Sequence, residues 1–207
     1  MPNCTACGAP LETPVACAAC GAVHDVPEGA SPFDILGLVP SFVVDERDLR
    51  RRLTRCSRLV HPDFFGTAEA AVRERAERNS ARLNQAFDVL SDAVRRADWL
   101  VLHLGGPTEE NERAMPQAFL VEVLEWNEVL EESRAASGTD PRIAPLAAEI
   151  ADRRAAGLAR IAQLLDPLPE RGSQQLGVAR RELNALRYLD RALREVETLR
   201  LARAERR

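Results

Sequence analysis

Four cysteines near the start of the chain have a spacing with chemical consequences. Cys4, Cys7, Cys17 and Cys20 stand as C-x2-C-x9-C-x2-C, and each pair is followed by a glycine, Gly8 or Gly21. Glycine can take the positive φ that lets backbone amides point at a thiolate sulfur. Two such turns facing each other offer four soft ligands in a tetrahedron, the arrangement zinc takes in structural sites. Spacing alone also admits iron in the same cage. With four ligands no coordination position is open, so the centre is expected to be structural. A segment too short for its own core would take its folding energy from the metal. His24 is expected at the surface rather than as a fifth ligand.

The second stretch is Leu59-Val60-His61-Pro62-Asp63-Phe64-Phe65. Pro62 cannot donate a backbone hydrogen bond, and it pushes His61 out of helical geometry. A helix entering this stretch must stop, which leaves an imidazole and a carboxylate at a loop tip. A tip held by two packed helices is suited to recognition. No second cluster of acids, bases or nucleophiles joins His61 and Asp63, so a convex recognition feature is expected, not a catalytic centre.

The elements around these residues read as helices. Val26 to Pro32 is a linker, and Phe33 to Leu38 a short apolar helix or turn closed by Gly37 and Pro40. Asp45 is an N-cap with acidic residues after it. Leu49, Leu53, Cys56 and Val60 then recur at helical spacing as a buried stripe, with Arg47, Arg51, Arg55 and Arg58 on the other side. That cationic side suits an acidic partner surface. Cys56, on the apolar stripe, is expected to be a small core residue. From about Thr67 to Leu90 the pattern Val72, Ala76, Leu83, Phe87, Leu90 marks a second long helix packed back on the first. Asp92 to Leu104 continues helical, with Trp99, Leu100 and Leu102 apolar, and Gly105-Gly106-Pro107 ends it.

Three more helical patterns follow, from about Pro116 to Ala135, Pro141 to Leu165 and Ser173 to Ala204. Gly138 and the stretch Pro167 to Gly172 separate them, and such short connections imply an antiparallel three-helix bundle. The first carries apolar residues on two faces. Phe119, Val123, Trp126 and Leu130 share one. Leu120, Val121 and Leu124 lie on another, beside Glu125, Glu128 and Glu132. Two neighbours could bury both faces, but the mixed pattern fits an apolar and acidic docking patch.

Composition narrows the classes. A chain of 207 residues has room for one or two domains with real cores. Aromatics are only 4%, so those cores are expected to be Leu, Ala and Val. Lysine is absent, so all 28 basic residues are arginine. A net charge of -4 argues against a general nucleic-acid binder. No apolar run approaches the about 18 residues of a membrane span, and Met1-Pro2-Asn3-Cys4 opens no export or transit signal. The expected place is the cytoplasm. Five cysteines in a reducing compartment favour metal over disulfides.

From Ser31 to Gly106 the chain resembles a J-domain, the module that activates DnaK-type ATPases. The residues carrying the likeness are the Arg-rich helix, the His61-Pro62-Asp63 tip, and Leu83-Asn84-Gln85-Ala86-Phe87-Asp88-Val89-Leu90. Further stretches resemble the HscB family of iron–sulfur co-chaperones: Phe33-Asp34-Ile35-Leu36-Gly37-Leu38-Val39-Pro40, Arg95 to Leu102, Ala118 to Glu125, and Leu186-Arg187-Tyr188-Leu189-Asp190-Arg191. The likeness spans about Ser31 to Val196, and the tetracysteine is similar to one carried by some family members. Two departures stand out: Phe64-Phe65 replaces the lysine common after the triplet, and arginine replaces lysine along the first helix, keeping charge but not geometry.

The resemblance implies an all-α fold: a small N-terminal zinc knuckle or ribbon (1-25), a J-domain helical hairpin (32-106) and a C-terminal antiparallel three-helix bundle (114-204). His61, Pro62 and Asp63 would dock on a DnaK/HscA-type chaperone, with Arg47, Arg51, Arg55 and Arg58 steering the encounter. Leu120, Val121, Leu124, Glu125, Glu128, Glu132 and Tyr188 would bind an IscU-type iron–sulfur scaffold. The chain itself would catalyse nothing. The zinc module could pack on the J-domain, dimerise the chain or touch a partner. A general J-domain co-chaperone and a zinc-ribbon nucleic-acid factor stay open beside this reading.

Overall fold

Local side chains set the helix ends. The Ser31 hydroxyl accepts from the Asp34 backbone N–H at 3.0 Å while the Asp34 carboxylate accepts from the Ser31 N–H at 2.9 Å, a reciprocal cap that starts α1 (Pro32–Ile35). The Asp45 carboxylate accepts from the Arg47 N–H at 2.8 Å and starts α2 (Glu46–Val60). α2 stops where Pro62 holds His61 at φ -64 and ψ 125, outside helical geometry. The fixed φ of Pro62 suits a first helical position, so Pro62–Phe65 close a single 3-10 turn. α3 (Ala70–Ser91) therefore begins at Ala70, later than the Thr67 expected. The Asp92 carboxylate accepts from the N–H of Val94 and Arg95 and starts α4 (Ala93–His103). α5 (Gln117–Ala135), α6 (Ile143–Leu165) and α7 (Gln174–Ala204) follow.

The computed structural model describes residues 3–135 and 140–204. Gly138, expected to separate the first two bundle helices, lies outside them, as do Met1 and Pro2 of the tetracysteine segment. The fold is all-α: the described residues form seven α-helices and no strand, and the two isolated bridges, Asn3–Pro10 and Ala16–Val23, both lie in the cysteine segment. No helix among them is long and apolar enough to cross a membrane.

The chain divides into two compact units, Met1–Arg96 and Ala97–Arg207. In the first, α2 and α3 pack together and α1 packs on α3. Leu49, Cys56 and Val60 of α2 are buried, as are Ala76, Leu83 and Leu90 of α3. Leu53, expected in the same stripe, is only half-buried. Arg96 closes the end of this unit: it donates to the Phe42 carbonyl at 2.8 Å and to the Leu90 carbonyl, and lies over the Phe42 ring.

In the second unit α6 and α7 pack along each other, and α5 lies against both. A Cβ on Gly157 would come within 2.9 Å of Leu186, so the glycine lets these two helices approach closely. Arg180 is fully buried, donating to Asp98 at 2.5 Å and to the Pro107 carbonyl at 2.9 Å. Asp98 also takes Arg187 at 3.0 Å, so one carboxylate collects two cations. A buried charge is tolerated when it is paired; Asp98 and the Pro107 carbonyl take Nη1 and Nε of Arg180, while its Nη2 is shielded without a partner.

Candidate functional site

The two cysteine turns are near copies. The Cys4 N–H donates to the Ala9 carbonyl and the Gly8 N–H to the Cys4 carbonyl; the Cys17 N–H donates to the Ala22 carbonyl and the Gly21 N–H to the Cys17 carbonyl. Both glycines hold positive φ, 76 at Gly8 and 74 at Gly21. The turns bring all four sulfurs within 4.8 Å of one another, with Cys4–Cys20 and Cys7–Cys17 each at 3.7 Å. Metal–sulfur bonds of about 2.3 Å in a tetrahedron would put sulfurs about 3.8 Å apart, whereas a disulfide needs about 2.05 Å. The four thiols therefore fit a metal ion.

Packed this closely, the thiols do not ionise alike. Burial alone would raise Cys4, but the backbone N–H groups of Cys7 and Ala6 together with the Cys7 and Cys17 thiols outweigh it and draw the thiol down to about 6. At Cys20 the Ala22 N–H pulls downward, yet the Cys7 thiol, burial and the other two sulfurs together push it up to about 12. A cation at the centre removes this conflict by favouring all four thiolates at once. Cys4, Leu11 and Cys17 form a minute core with Ala9 and Ala22 packed on it, too little to stand alone.

The cysteine segment lies on the α2–α3 hairpin, held by polar contacts as well as by buried Val15 and Val26. Asn79, buried in the middle of α3, donates to the carbonyls of Val15 and His24, both at 2.8 Å. Arg82 donates to the Val26 carbonyl at 2.7 Å, Arg75 pairs with Asp25 at 3.0 Å, and Arg55 pairs with Glu12 at 2.5 Å. Thr13 is buried beside Cys56, and burial pushes the Cys56 thiol up, as a core position requires. Gly37 completes the contact with φ 65: a Cβ there would meet the Glu12 carbonyl oxygen at 2.7 Å. His24 is not the surface residue expected. It is half-buried because its backbone is bonded to Val15 and Asn79, and its Nε2 is shielded without a partner. The four-sulfur cluster does not include it.

At the tip of the hairpin the triplet stands in solvent. His61 and Asp63 are exposed and Pro62 half-exposed. The Asp63 N–H donates to His61 Nδ1 at 3.3 Å, which makes Nδ1 the acceptor and leaves Nε2 to carry the neutral ring's proton. Along α2, Arg47, Arg51, Arg55 and Arg58 are all exposed, as the spacing predicts. They are not equally available. Arg51 is tied to Asp48, whose carboxyl is held below its usual range by Arg52 first and Arg51 after it. Arg55 is engaged by Glu12. Among the described residues Arg47 and Arg58 enter no ion pair.

In the second unit α5 shows two contrasting faces. Phe119, Val123, Trp126 and Leu130 are buried, and the Trp126 indole N–H donates to Glu149 at 2.9 Å. Leu120, Val121 and Leu124 remain 42%, 60% and 65% exposed, so burial of both faces by neighbouring helices does not occur. Glu125, Glu128 and Glu132 are exposed beside them; Glu132 pairs with Arg142 at 2.7 Å. The Tyr188 hydroxyl donates to Asn127 at 2.7 Å, on the stripe that also holds Leu120 and Leu124. The Tyr188 ring meets Phe119 edge-on, and burial raises its hydroxyl's pKa.

Comparison with known proteins adds to this geometry. Residues 115–197 match the family model of the HSCB C-terminal oligomerisation domain. A co-chaperone protein HscB homologue of Burkholderia mallei is 37% identical over 147 residues, covering 70% of this chain and 83% of that protein. One from Burkholderia multivorans is 34% identical over 167 residues, covering 80% and 91%. In shape, the chain is similar to the crystal structure of human co-chaperone protein HscB, with a TM-score of 0.77 at 22% identity over 97% of this chain and 100% of that one. Chaperone HscB from Vibrio cholerae gives 0.68 at 24% identity, covering 83% and 98%.

Proposed function

The chain belongs to the HscB co-chaperone family, and from that premise we propose that it delivers an iron–sulfur scaffold protein to a chaperone and triggers that chaperone's ATPase. In this reading the residues 32-106 act as the J-domain. His61, Pro62 and Asp63 contact a DnaK/HscA-type chaperone, and Arg47, Arg51, Arg55 and Arg58 steer the approach. Residues 114-204 hold an IscU-type scaffold through Leu120, Val121, Leu124, Glu125, Glu128, Glu132 and Tyr188. Residues 1-25 carry structural zinc on Cys4, Cys7, Cys17 and Cys20. The chain performs no catalysis; it shifts its partner toward hydrolysis by contacting one of its states better than another. Carrying both sites on one chain raises the effective concentration of scaffold at chaperone without any new contact. The bacterial cytoplasm is the proposed place.

The observation that carries this reading is the exposed apex of the hairpin. His61 and Asp63 engage each other, and the His61 ring meets Phe64. Two exposed titratable groups held on a stiff turn, with a cationic flank, are suited to recognition. Asp63→Asn in the full chain keeps the shape and removes the charge. It is expected to abolish stimulation of the chaperone's ATPase while scaffold affinity stays unchanged; retained stimulation refutes the docking role.

A further inference from the structure

Among the described residues a single Phe, Trp or Tyr side chain faces water. Phe64 is 71% exposed, while every other Phe, Trp or Tyr among the described residues is buried or half-buried. Its neighbour Phe65 is half-buried, so the turn uses one phenylalanine for packing and offers the other. Phe64 is also held in place. Its N–H donates to the His61 carbonyl at 3.0 Å, and its ring meets the His61 imidazole edge-on, centroids 5.9 Å apart and planes at 67°. The two rings form one pre-set aromatic corner, its apolar part Phe64, beside the Asp63 carboxylate. Arg58, one turn back on α2, is exposed and without an ion pair among the described residues.

We propose that Phe64 is the apolar anchor of the chaperone contact, seated in an apolar notch of the DnaK-type partner whose rim is acidic. This rests on the co-chaperone reading above. A rigid aromatic loses little conformational freedom on docking, and buried aromatics with a polar rim carry most of the energy of small interfaces. The rim's sign follows from the cations flanking the corner. Anchor and trigger then separate. Phe64 sets how tightly the partner is held, and His61 and Asp63 set what the partner does. A lysine at this place would seek a carboxylate instead of a notch, so the residue after the triplet also selects between partners.

The experiment uses the full metal-loaded chain and a DnaK-type chaperone from the same cell. ATPase stimulation is titrated for wild type, Phe64→Ala, Phe64→Leu and His61→Gln, with thermal unfolding as a check on folding and sedimentation of each chain alone. Phe64→Ala is expected to raise the half-saturating concentration about tenfold with the same plateau. Phe64→Leu is expected to recover part of the loss, and His61→Gln to lower the plateau itself. Loss of plateau in His61→Gln with wild-type half-saturation in Phe64→Ala overturns the anchor and leaves the co-chaperone reading standing. A lowered plateau at unchanged half-saturation in Phe64→Ala also overturns it. So does self-association of the wild-type chain that Phe64→Ala abolishes, since the ring would then serve a second copy. Full stimulation by His61→Gln sinks the co-chaperone reading itself.

Discussion

The hairpin apex and the outer face of α5 are both left open to water, for opposite physical reasons. At the apex, backbone geometry compels exposure: Pro62 ends α2, a 3-10 turn follows, and His61 and Asp63 have nowhere to fold back to. On α5 exposure is a surplus. One face already satisfies the bundle core through Phe119, Val123, Trp126 and Leu130, and Leu120, Val121 and Leu124 are extra apolar residues on a helix that needs none. The first kind of site is specified by shape and charge, the second by area. Substitutions at His61 and Asp63 should change what a partner does; substitutions on α5, like that of Phe64, should change how tightly a partner is held.

The largest effect that tests this contrast is on α5. Leu120→Ala combined with Leu124→Ala removes two exposed apolar side chains from one stripe. Scaffold affinity, measured by calorimetry, is expected to fall about a hundredfold, since central apolar contacts each contribute about 1–2 kcal/mol. Chaperone stimulation without scaffold should stay at the wild-type level. Because both residues face water, the melting temperature should not fall, and a large drop would mean that α5 packs by that face after all.

The next effect lies in how the apex is supported. The cysteine segment is fixed to α3 through the Asn79 side chain. Asn79→Ala leaves the Val15 and His24 carbonyls without that donor, at a cost of about 2 kcal/mol. The loss should appear in residues 3–96 and not in the bundle, as read by hydrogen exchange. Chelation of the metal should destabilise the same residues, because the four thiols have little core beneath them. Equal loss of protection in both units would break the comparison.

Much of this was legible in the sequence, and the misses have identifiable causes. Proline, cap residues and apolar spacing act within a few positions, so the break at His61, the start of α2 and the limits of α5, α6 and α7 could all be read locally. Asn79 could not. It sits in Arg78-Asn79-Ser80, which reads as solvent-facing, and its partners are carbonyls 55 and 64 residues away. Arg180 is the same case. A cation between Ala179 and Arg181 gives no sign that Asp98 waits for it. His24 is half-buried because α3 covers it, which its own neighbours do not reveal. Local rules place elements, whereas polar contacts between distant segments depend on the finished packing.

A smaller, pH-dependent effect separates the units further. Asp140 accepts from the Arg142 side chain, the Ser133 hydroxyl and the Arg142 N–H, which together hold its carboxyl well below the usual carboxylate range. A depressed folded-state pKa contributes stability above the unfolded value, near about 3.9, and that contribution is lost as pH falls through and below it. Wild type should therefore be more stable than Asp140→Asn at neutral pH, with the gap closing as the solution is acidified toward pH of about 2. The readout is bundle unfolding at each pH. A constant gap would show that the hydrogen-bond geometry and not the charge matters.

The smallest effect concerns the apex's cationic flank. Glu12 and Arg55 are exposed partners, 59% and 48% accessible at the side chain, so the pair should contribute under about 1 kcal/mol to stability. Glu12→Gln leaves the fold almost untouched but frees one more arginine toward an acidic partner. Steering by exposed charge acts on the association rate and fades with salt. Chaperone association should therefore quicken about twofold at low ionic strength and return to the wild-type value when salt shortens the screening length. A variant that associates faster at every salt concentration would mean that the cysteine segment blocks the flank by bulk, not by charge. The tetracysteine module would then limit access to the hairpin as well as supporting it.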